Sequence, residues 1–484
     1  MDEIELKLEV SPEAAHALES GGLLPGQSGM VNQRSIYFDT PAEILAKTGL
    51  SLRIRLSDGK RIQTVKTAGA NGAGLFARTE WESAVADDKP ILDDTTPVRA
   101  LIGDAVDDVA PLFEVQVTRR TWQVREGASL IELAVDRGEV VAGDRRAPLC
   151  EVELELKDGD PDALFAFARR IDAVAPVRLG VLSKAERGYR LTRAVRPAVK
   201  ADPVILGTNM TTAQAFQHIV QTCMRHFRLN ETLLLHGRDA PPLHQSRVAL
   251  RRLRSAFTIF KPIVGGGDAA KLREELRWLS SELGDARNLD VMLEHQLSEA
   301  LRAHLKRARE AAYDRVADIL ASSRARRLML DLAEWTVQGD WLTLPETQAD
   351  RDRPVSGFAV TALDRFRRKV KKDGRDLENA DDEARHQVRK DAKKLRYASE
   401  FFEALFQRKQ EKRRYKRFTA ALEEVQDRLG RLNDLATVPA TLEKVGIAGD
   451  PDAAALLGHD DRDALVEASA EALEELVDAK RFWR

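Results

Sequence analysis

The chain begins with charged residues that alternate with apolar residues, in the sequence MDEIELKLEV. In a β-strand, Glu3, Glu5 and Lys7 would share one face, with successive side chains about 7 Å apart. Carboxylate oxygens in this arrangement are ligands that Mg²⁺ and Mn²⁺ prefer, and both ions also bind phosphate oxygens. The first strand therefore supplies candidate ligands for a metal ion that binds together with a phosphate compound.

Charged positions with the same spacing recur on other predicted strands. Glu151, Glu153 and Glu155 form a second acidic strand. Basic residues occupy similar positions elsewhere in the first 200 residues: Arg53, Arg55, Lys66, Arg78, Arg119 and Lys184. Charged residues also alternate with apolar ones on the solvent-exposed face of an ordinary antiparallel sheet. For any single strand, a solvent-exposed face is the favoured interpretation. The recurrence of both charges on several strands favours a site for a highly charged phosphate compound.

A third set of charged residues lies in the second half of the chain and occurs twice, at a shift of 142 residues. The matched residues are His244, Arg247, Arg251, Arg252 and Arg254, followed by His386, Arg389, Lys393, Lys394 and Arg396. Steps of three and four residues place most of each set along one helix face. No acidic residue lies in the first window to neutralise it. The duplicated stripe predicts an anionic partner; the alternative is a solvated face, or ion pairs with neighbouring helices.

The two halves of the chain have different hydrophobic periods. Up to about residue 200, short apolar–polar alternations separated by turn residues predict a mainly antiparallel β domain with a few helices. Beyond about residue 205, Leu, Ala, Arg and Glu recur with the period of a helix. The 484 residues exceed what a single hydrophobic core supports, so at least two domains are expected. Because the basic helix recurs, we predict two similar helical repeats, at approximately 205–340 and 355–484.

Composition excludes several classes of protein. The formal net charge is −2 and no aromatic residues interleave with the basic stripe, so no specific nucleic-acid partner is expected. Two cysteines are too few for a disulfide scaffold or a cysteine-built zinc site. There is no long apolar run, no signal peptide and no P-loop motif. These features predict a cytoplasmic protein without a membrane partner.

Residues 1 to about 195 resemble the CYTH family, the triphosphate tunnel metalloenzymes. The family's hallmark is an N-terminal Glu-x-Glu-x-Lys strand, and further motifs follow here in the family's order: Tyr37–Thr40, Leu52–Arg55, Arg119–Trp122, Glu151–Glu155 and Ser183–Lys184. The resemblance implies an eight-stranded antiparallel tunnel whose charged faces turn inward. It also implies a metal-dependent phosphoanhydride hydrolase with Mg²⁺ or Mn²⁺ as cofactor.

The same resemblance implies roles for individual residues. The metal ligands would be Glu3, Glu5, Asp136, Glu151 and Glu153. The catalytic set would be Glu3, Glu5, Lys7, Glu151 and Glu153. The triphosphate would be bound by Lys7, Arg53, Arg55, Lys66, Arg78, Arg119 and Lys184. The role of Glu155 stays open, because it shares the acidic face but extends beyond the expected centre.

The region from about 205 to the end resembles the CHAD family, the conserved histidine α-helical domain, whose signature is the doubled His/Arg/Lys helix. The family implies two pseudo-symmetric four-helix bundles and binding of inorganic polyphosphate by the ten matched basic residues. The expected fold class is therefore an α+β multidomain protein. Residues 1–200 would form the CYTH tunnel, and residues 205–484 would form an all-α CHAD domain with a double four-helix-bundle repeat.

Together, the two resemblances predict an inorganic triphosphatase that hydrolyses tripolyphosphate to diphosphate and phosphate and also binds inorganic polyphosphate. Association with polyphosphate granules is a further expectation. Two alternatives within enzymes are thiamine triphosphatase and adenylate cyclase. A third alternative is a non-catalytic polyphosphate-binding or granule-associated protein.

Overall fold

The computed structural model describes residues 3–67, 74–448, 453 and 462–484. The chain divides into two compact units. The first consists of Met1–Pro197 together with Ser323–Gln338, and the second of Ala198–Ser322 together with Gly339–Arg484. No described helix combines the length and the apolar character that crossing a bilayer requires.

The first unit is built on one antiparallel sheet. Its strands are β1 Glu3–Val10, β2 Gly29–Asp39, β3 Leu50–Ser57, β4 Lys60–Thr67, β5 Leu75–Arg78, β6 Glu80–Ala84, β7 Ala110–Glu126, β8 Ser129–Ala142, β9 Arg145–Asp158 and β10 Val177–Leu179. They are ordered β10-β1-β9-β8-β7-β2-β3-β4-β6, and β5 pairs with β1. The predicted strand domain is therefore confirmed.

The sheet closes on itself, but with ten described strands rather than the eight predicted. β5 and β6 are separated only by Thr79; β5 pairs with β1, whereas β6 pairs with β4. Together, β5 and β6 occupy one strand position in a ring of eight. That position is divided at Thr79, where pairing changes from β1 to β4. The short strand β10 pairs with β1 and accounts for the other extra strand.

In the described part of this first stretch, four helices lie between the strands and a fifth follows the last strand: α1 Pro12–Ser20, α2 Ile44–Lys47, α3 Val98–Ile102, α4 Asp162–Val174 and α5 Lys184–Thr192. α5 begins at a capping box, in which the Ser183 and Glu186 side chains bond each other's backbone. Its Tyr189 packs edge-on against Phe113 of β7, with ring centroids 5.2 Å apart. Since Phe113, Val115 and Val117 alternate along the same strand face as Arg119, α5 fills one end of the ring's interior.

The rest of the chain is helical in the described residues. The helices are α6 Thr212–His236, α7 Ala240–Ile259, α8 Gly267–Glu282, α9 Gly284–Met292, α10 Glu299–Ala321, α11 Ser323–Gln338, α12 Gln348–Asp352, α13 Val355–Asp373, α14 Asp382–Phe402, α15 Lys409–Lys444 and α16 Arg462–Asp478. Short 3₁₀ turns lie at Gly103–Asp108, Asp340–Leu342, Pro345–Thr347 and Glu403–Leu405. The predicted all-α region is confirmed.

Two groups of helices with matching order form the second unit. In the first group α6 packs on α7 and α10, and α7 packs on α8 and α9. In the second group α13 packs on α14 and α16, and α15 lies between α14 and α16. The repeated helices α7 and α14 contact each other. Phe260 and Phe402, which occupy matching positions after the basic stripes, are neighbours with ring centroids 6.0 Å apart.

One helix departs from the division that the sequence predicts. α11 falls within the predicted helical repeat 205–340, yet it belongs to the first unit and packs on α4 and β10. Arg326 on α11 forms a buried ion pair with Asp172 on α4, with Nε 2.5 Å from Oδ1. Arg169 on α4 pairs in turn with Asp331 and Glu334 of α11. These contacts explain why a helix distant in sequence joins the strand unit.

Candidate active site and cation cluster

Three carboxylates meet on the inner face of the hairpin formed by β8 and β9. Asp136 lies directly opposite Glu151 in the strand register, and Glu153 follows two residues later on the same face. All three side chains are buried, and each offers an oxygen within 4.8 Å of the others. Three oxygen donors at this spacing have the ligand type and the proximity that a hard divalent cation requires.

Among the described residues, four basic residues contact these carboxylates: Lys184, Arg119, Lys7 and Arg187, whose Nε lies 3.6 Å from Glu151 Oε2. Lys184, the first residue of α5, places Nζ 2.7 Å from Asp136 Oδ2, 2.5 Å from Glu151 Oε1 and 2.9 Å from Glu153 Oε1. Arg119 donates to both oxygens of Asp136 at 2.7 Å and also contacts Glu153. Lys7 contacts Glu153 and lies 3.2 Å from Glu5. The result is a dense buried network of alternating charge.

The charges of this network hold Glu153 and Lys184 in the ionised state. Burial opposes ionisation of Glu153, but the charges of Lys184, Lys7 and Arg119 outweigh it and hold the pKa of that carboxyl well below its ordinary value. Burial likewise opposes the charge on Lys184, and the three carboxylates raise its pKa above the usual range. A phosphate compound entering this site therefore meets fixed charges of both signs.

The network opens into a cavity of about 420 Å³ inside the ring. Most of its lining is charged: Glu5, Lys7, Arg53, Arg55, Lys66, Glu80, Glu82, Arg119, Glu132, Glu153, Glu155, Lys157 and Lys184, with Tyr37, Ser51, Ser183 and Ala185 completing it. The Nε atoms of Arg53 and Arg55 are buried and have no hydrogen-bond partner among the described atoms. Burial and the charges of Arg53 and Arg119 lower the pKa of Arg55 to about 10. Such cations are poised to bind an anion, which would supply the missing acceptors.

A second basic site lies in the helical unit, where α7 packs on α14. Arg247 and Arg251 of α7 and Arg389 and Lys393 of α14 are close enough that burial and the three guanidinium charges lower the pKa of Lys393 to about 7. Among the described residues, none of these four side chains has a carboxylate within ion-pair distance, although Asp285 and Asp434 lie nearby. The Nε atoms of Arg251 and Arg389 are buried without an acceptor in the described structure. We refer to these four residues as the α7–α14 cation cluster.

Residues 1–189 match the family model of the CYTH domain, and residues 218–443 match that of the CHAD domain. The chain is a CYTH–CHAD protein. It is 32% identical to an inorganic triphosphatase of Haemophilus influenzae over 202 residues, which are 40% of this chain and 55% of that protein. It thus spans about half the length of this curated relative. A crystal structure of the CHAD domain from the plant Ricinus communis matches 59% of this chain and 97% of its own, with 28% identity and a TM-score of 0.50.

The CYTH domain brings together most of the residues predicted from its strands. Lys7, Arg119, Asp136, Glu151, Glu153 and Lys184 form the network, and Glu5, Arg53, Arg55 and Lys66 line the cavity around it. Lys66 pairs with Glu80 across β4 and β6, and Glu155 pairs with Lys157 at 2.5 Å. The side chains of Glu3 and Arg78 lie outside the described part of the structure. Their backbones are paired in register between β1 and β5.

Sequence reasoning missed several residues of the CYTH cavity. Tyr37 lines it and stacks on Phe113, with ring centroids 4.8 Å apart. Although burial opposes ionisation of Tyr37, the charge of Arg53 and a hydrogen bond with it lower the pKa of the phenol. Glu80 and Glu82 also line the cavity, and their two-residue spacing on β6 was the signal that could have identified them.

In the CHAD domain, some of the ten predicted basic residues form the α7–α14 cation cluster and the others lie outside it. Only Arg247, Arg251, Arg389 and Lys393 form the α7–α14 cation cluster. Burial lowers the pKa of His244, and the charges of Arg287, Arg251 and Arg247 lower it further. His386 Nδ1 contacts Asn433 Oδ1 at 2.6 Å.

The remaining predicted basic residues lie outside the cluster. Arg252 is buried; it lies 3.5 Å from Glu400 and over the Phe401 ring. Arg396 also pairs with Glu400, at 2.8 Å, and Lys394 pairs with Asp391 at 2.9 Å. Arg254 is exposed, and Arg277 and Arg273 lie near it. The alternative of ion pairing with neighbouring acids therefore describes three of the ten residues.

Proposed function

We propose that the CYTH domain hydrolyses inorganic triphosphate to diphosphate and phosphate, with Mg²⁺ or Mn²⁺ as cofactor. The observation that supports this most strongly is the buried carboxylate set of Asp136, Glu151 and Glu153 beside a charged cavity, where the Nε atoms of Arg53 and Arg55 have no acceptor among the described atoms. The similarity to an inorganic triphosphatase supports the same substrate.

The residues present suit a hard divalent cation. Asp136, Glu151 and Glu153 supply carboxylate oxygens within 4.8 Å of one another, with no sulfur or imidazole ligand among them. Glu5 lines the same cavity and is a further candidate ligand. A bound divalent ion would neutralise charge on the phosphate oxygens and assist departure of the diphosphate.

The basic residues of the cavity would bind and orient the triphosphate. Arg53 and Arg55 lie two residues apart on β3 and therefore project from the same face. Arg guanidinium groups donate paired hydrogen bonds to phosphate oxygens. Because the protein holds these charges in place before the substrate arrives, they would stabilise the transition state more strongly than freely reorienting water does. One carboxylate of the network would orient the attacking water. Hydrolysis then adds that water across the terminal phosphoanhydride bond and releases phosphate and diphosphate.

The test is phosphate release from tripolyphosphate, with ATP and thiamine triphosphate in parallel, with and without Mg²⁺ or Mn²⁺. Metal-dependent turnover that favours tripolyphosphate supports the proposal; preference for either other substrate would indicate thiamine triphosphatase or cyclase-related activity. Glu151→Gln should abolish turnover, whereas Glu139→Gln on the same hairpin should not, because Glu139 is paired with exposed Arg146. No turnover on any substrate would favour a non-catalytic polyphosphate-binding protein.

We also propose that the CHAD domain binds inorganic polyphosphate at the α7–α14 cation cluster. Four cations are held together there with no carboxylate in ion-pair contact among the described residues, so their mutual repulsion favours an anionic ligand. A flexible chain of phosphates can follow two packed helices and contact several guanidinium groups in succession. Binding of this kind would also place the protein on polyphosphate granules.

The polyphosphate proposal is tested by charge reversal. Arg251→Glu with Lys393→Glu should abolish polyphosphate binding in a filter or fluorescence assay and leave tripolyphosphate hydrolysis intact. Lys306→Glu with Arg315→Glu is the matched control, because both residues are exposed on α10 and the change in net charge is equal. Equal loss of binding in both double variants would indicate a nonspecific effect of net charge and would contradict the proposal. Loss of hydrolysis along with binding, in a folded protein, would contradict two separate sites.

A further inference from the structure

The ammonium group of Lys184 lies where the three carboxylates converge. Its Nζ lies 2.7, 2.5 and 2.9 Å from oxygens of Asp136, Glu151 and Glu153, and it donates hydrogen bonds to the two glutamates. Among the described residues, the other cations of the network reach fewer of these acids. Arg119 contacts Asp136 and Glu153, Lys7 contacts Glu153 together with Glu5, and Arg187 lies 3.6 Å from Glu151 alone of the three.

The backbone of Lys184 is held by the contacts of α5, whereas its side chain has rotatable bonds. The residue follows the Ser183 cap at the start of α5. Further along α5, Tyr189 donates to Asp39 at 2.7 Å and Arg187 pairs with Glu9 at 2.8 Å. The four-carbon stem of a lysine can still turn about its own bonds. Because Lys184 also lines the cavity, its head can reach that space without movement of α5.

We propose that Lys184 is an internal counter-ion that occupies the metal position in the metal-free protein and turns to the triphosphate when a divalent cation enters. This rests on the metal site of the proposed function and adds a residue that controls its affinity. The ammonium remains protonated throughout: it exchanges carboxylate oxygens for phosphate oxygens, and no bond is made or broken.

The exchange has two consequences for binding. Without Lys184, the three buried carboxylates would be undercompensated and strongly favour a divalent ion. With Lys184 in place, an entering metal ion must displace the ammonium group, so the affinity of the site for the metal is weak. A bound triphosphate removes this cost, because its oxygens accept the hydrogen bonds of the displaced ammonium. Metal and triphosphate should therefore bind cooperatively.

The test is Mn²⁺ affinity, measured without substrate by the electron paramagnetic resonance signal of free Mn²⁺. Lys184→Met keeps most of the stem length and removes the charge, and should tighten Mn²⁺ binding by about 10- to 100-fold. Lys66→Met is the charge-matched control, because Lys66 lines the same cavity but contacts Glu80. Its effect should be about threefold or less.

The outcomes separate this inference from the proposed function. If wild type binds Mn²⁺ and Lys184→Met binds it no more tightly, or if Lys66→Met has an equal effect, the counter-ion role is wrong while the metal site stands. If neither wild type nor either variant binds Mn²⁺, both are overturned. A crystal structure of wild type with Mn²⁺ gives an independent answer should Lys184→Met fail to fold. Lys184 Nζ should leave hydrogen-bond distance of at least two of the three carboxylates, and retention of all three contacts would refute the exchange.

Discussion

The ion pair between α4 and α11 gives a quantitative prediction about how a late segment stabilises the first unit. Arg326 and Asp172 have only 8% and 1% of their side-chain surface exposed. Arg326→Met fills similar space but leaves the Asp172 carboxylate buried without its cation. Breaking a buried pair in this way costs about 3–5 kcal/mol. For a unit of this size, each kcal/mol lowers Tm by about 2–4 °C, so we expect a loss of about 6–20 °C.

The assay is differential scanning calorimetry of the full chain, with a matched control at the same contact. Arg169→Met removes a cation whose partners Asp331 and Glu334 are 48% and 27% exposed, so its cost should be about 1 kcal/mol or less. Asp172→Asn keeps the oxygen that accepts from Val177 N. Combined with Arg326→Met, it should recover much of the lost stability. The reasoning fails if Arg326→Met costs no more than Arg169→Met, or if adding Asp172→Asn recovers nothing.

Three further predictions concern packing, metal and pH. Gly188→Val should destabilise the protein by about 1–3 kcal/mol in urea unfolding, because even a Cβ at Gly188 would lie 1.9 Å from Phe113; an unchanged midpoint would contradict the packing of α5. Removing divalent ions with EDTA should abolish phosphate release from tripolyphosphate, and Mg²⁺ or Mn²⁺ should restore it; full activity in EDTA would contradict the metal site. Polyphosphate affinity should fall as pH rises through about 7, because burial and nearby guanidinium charges lower the pKa of free Lys393 to about 7, and a bound polyanion favours its protonated form. Lys393→Arg stays charged and should flatten that dependence above pH 7 in a binding titration; an unaltered slope would assign the proton to another group.

Alternation along single strands was sufficient to predict much of the CYTH site. The two-residue spacing of Glu151 and Glu153 fixes which side of β9 they occupy, and the structure turns that side inward. The interruption at Thr79 was not predictable in this way, because it depends on the strand changing its partner from β1 to β4. The place of Tyr37 depends on a long-range contact with Phe113, which local pattern does not encode.

Helical spacing was less informative about the basic stripe. The spacing places Arg251 and Arg252 next to each other on α7. It does not show which residues of other helices each arginine contacts. Glu400 of α14 lies within 3.5 Å of Arg252, whereas Arg251 lies near Arg389 and Lys393. The position of α11 was unpredictable for the same reason, because its partner Asp172 is more than 150 residues away.

The insertion of α11 into the first unit affects the order of events during synthesis of the chain. The strands and α4 are complete by Pro197, but the helix that neutralises Asp172 ends at Gln338. At about 5–20 residues per second, a ribosome needs roughly 7–30 s to make the intervening segment. During that interval, the nascent strand unit has an uncovered α4 surface with an uncompensated carboxylate. The N-terminal half of this protein therefore finishes folding only after more than two-thirds of the chain has been translated.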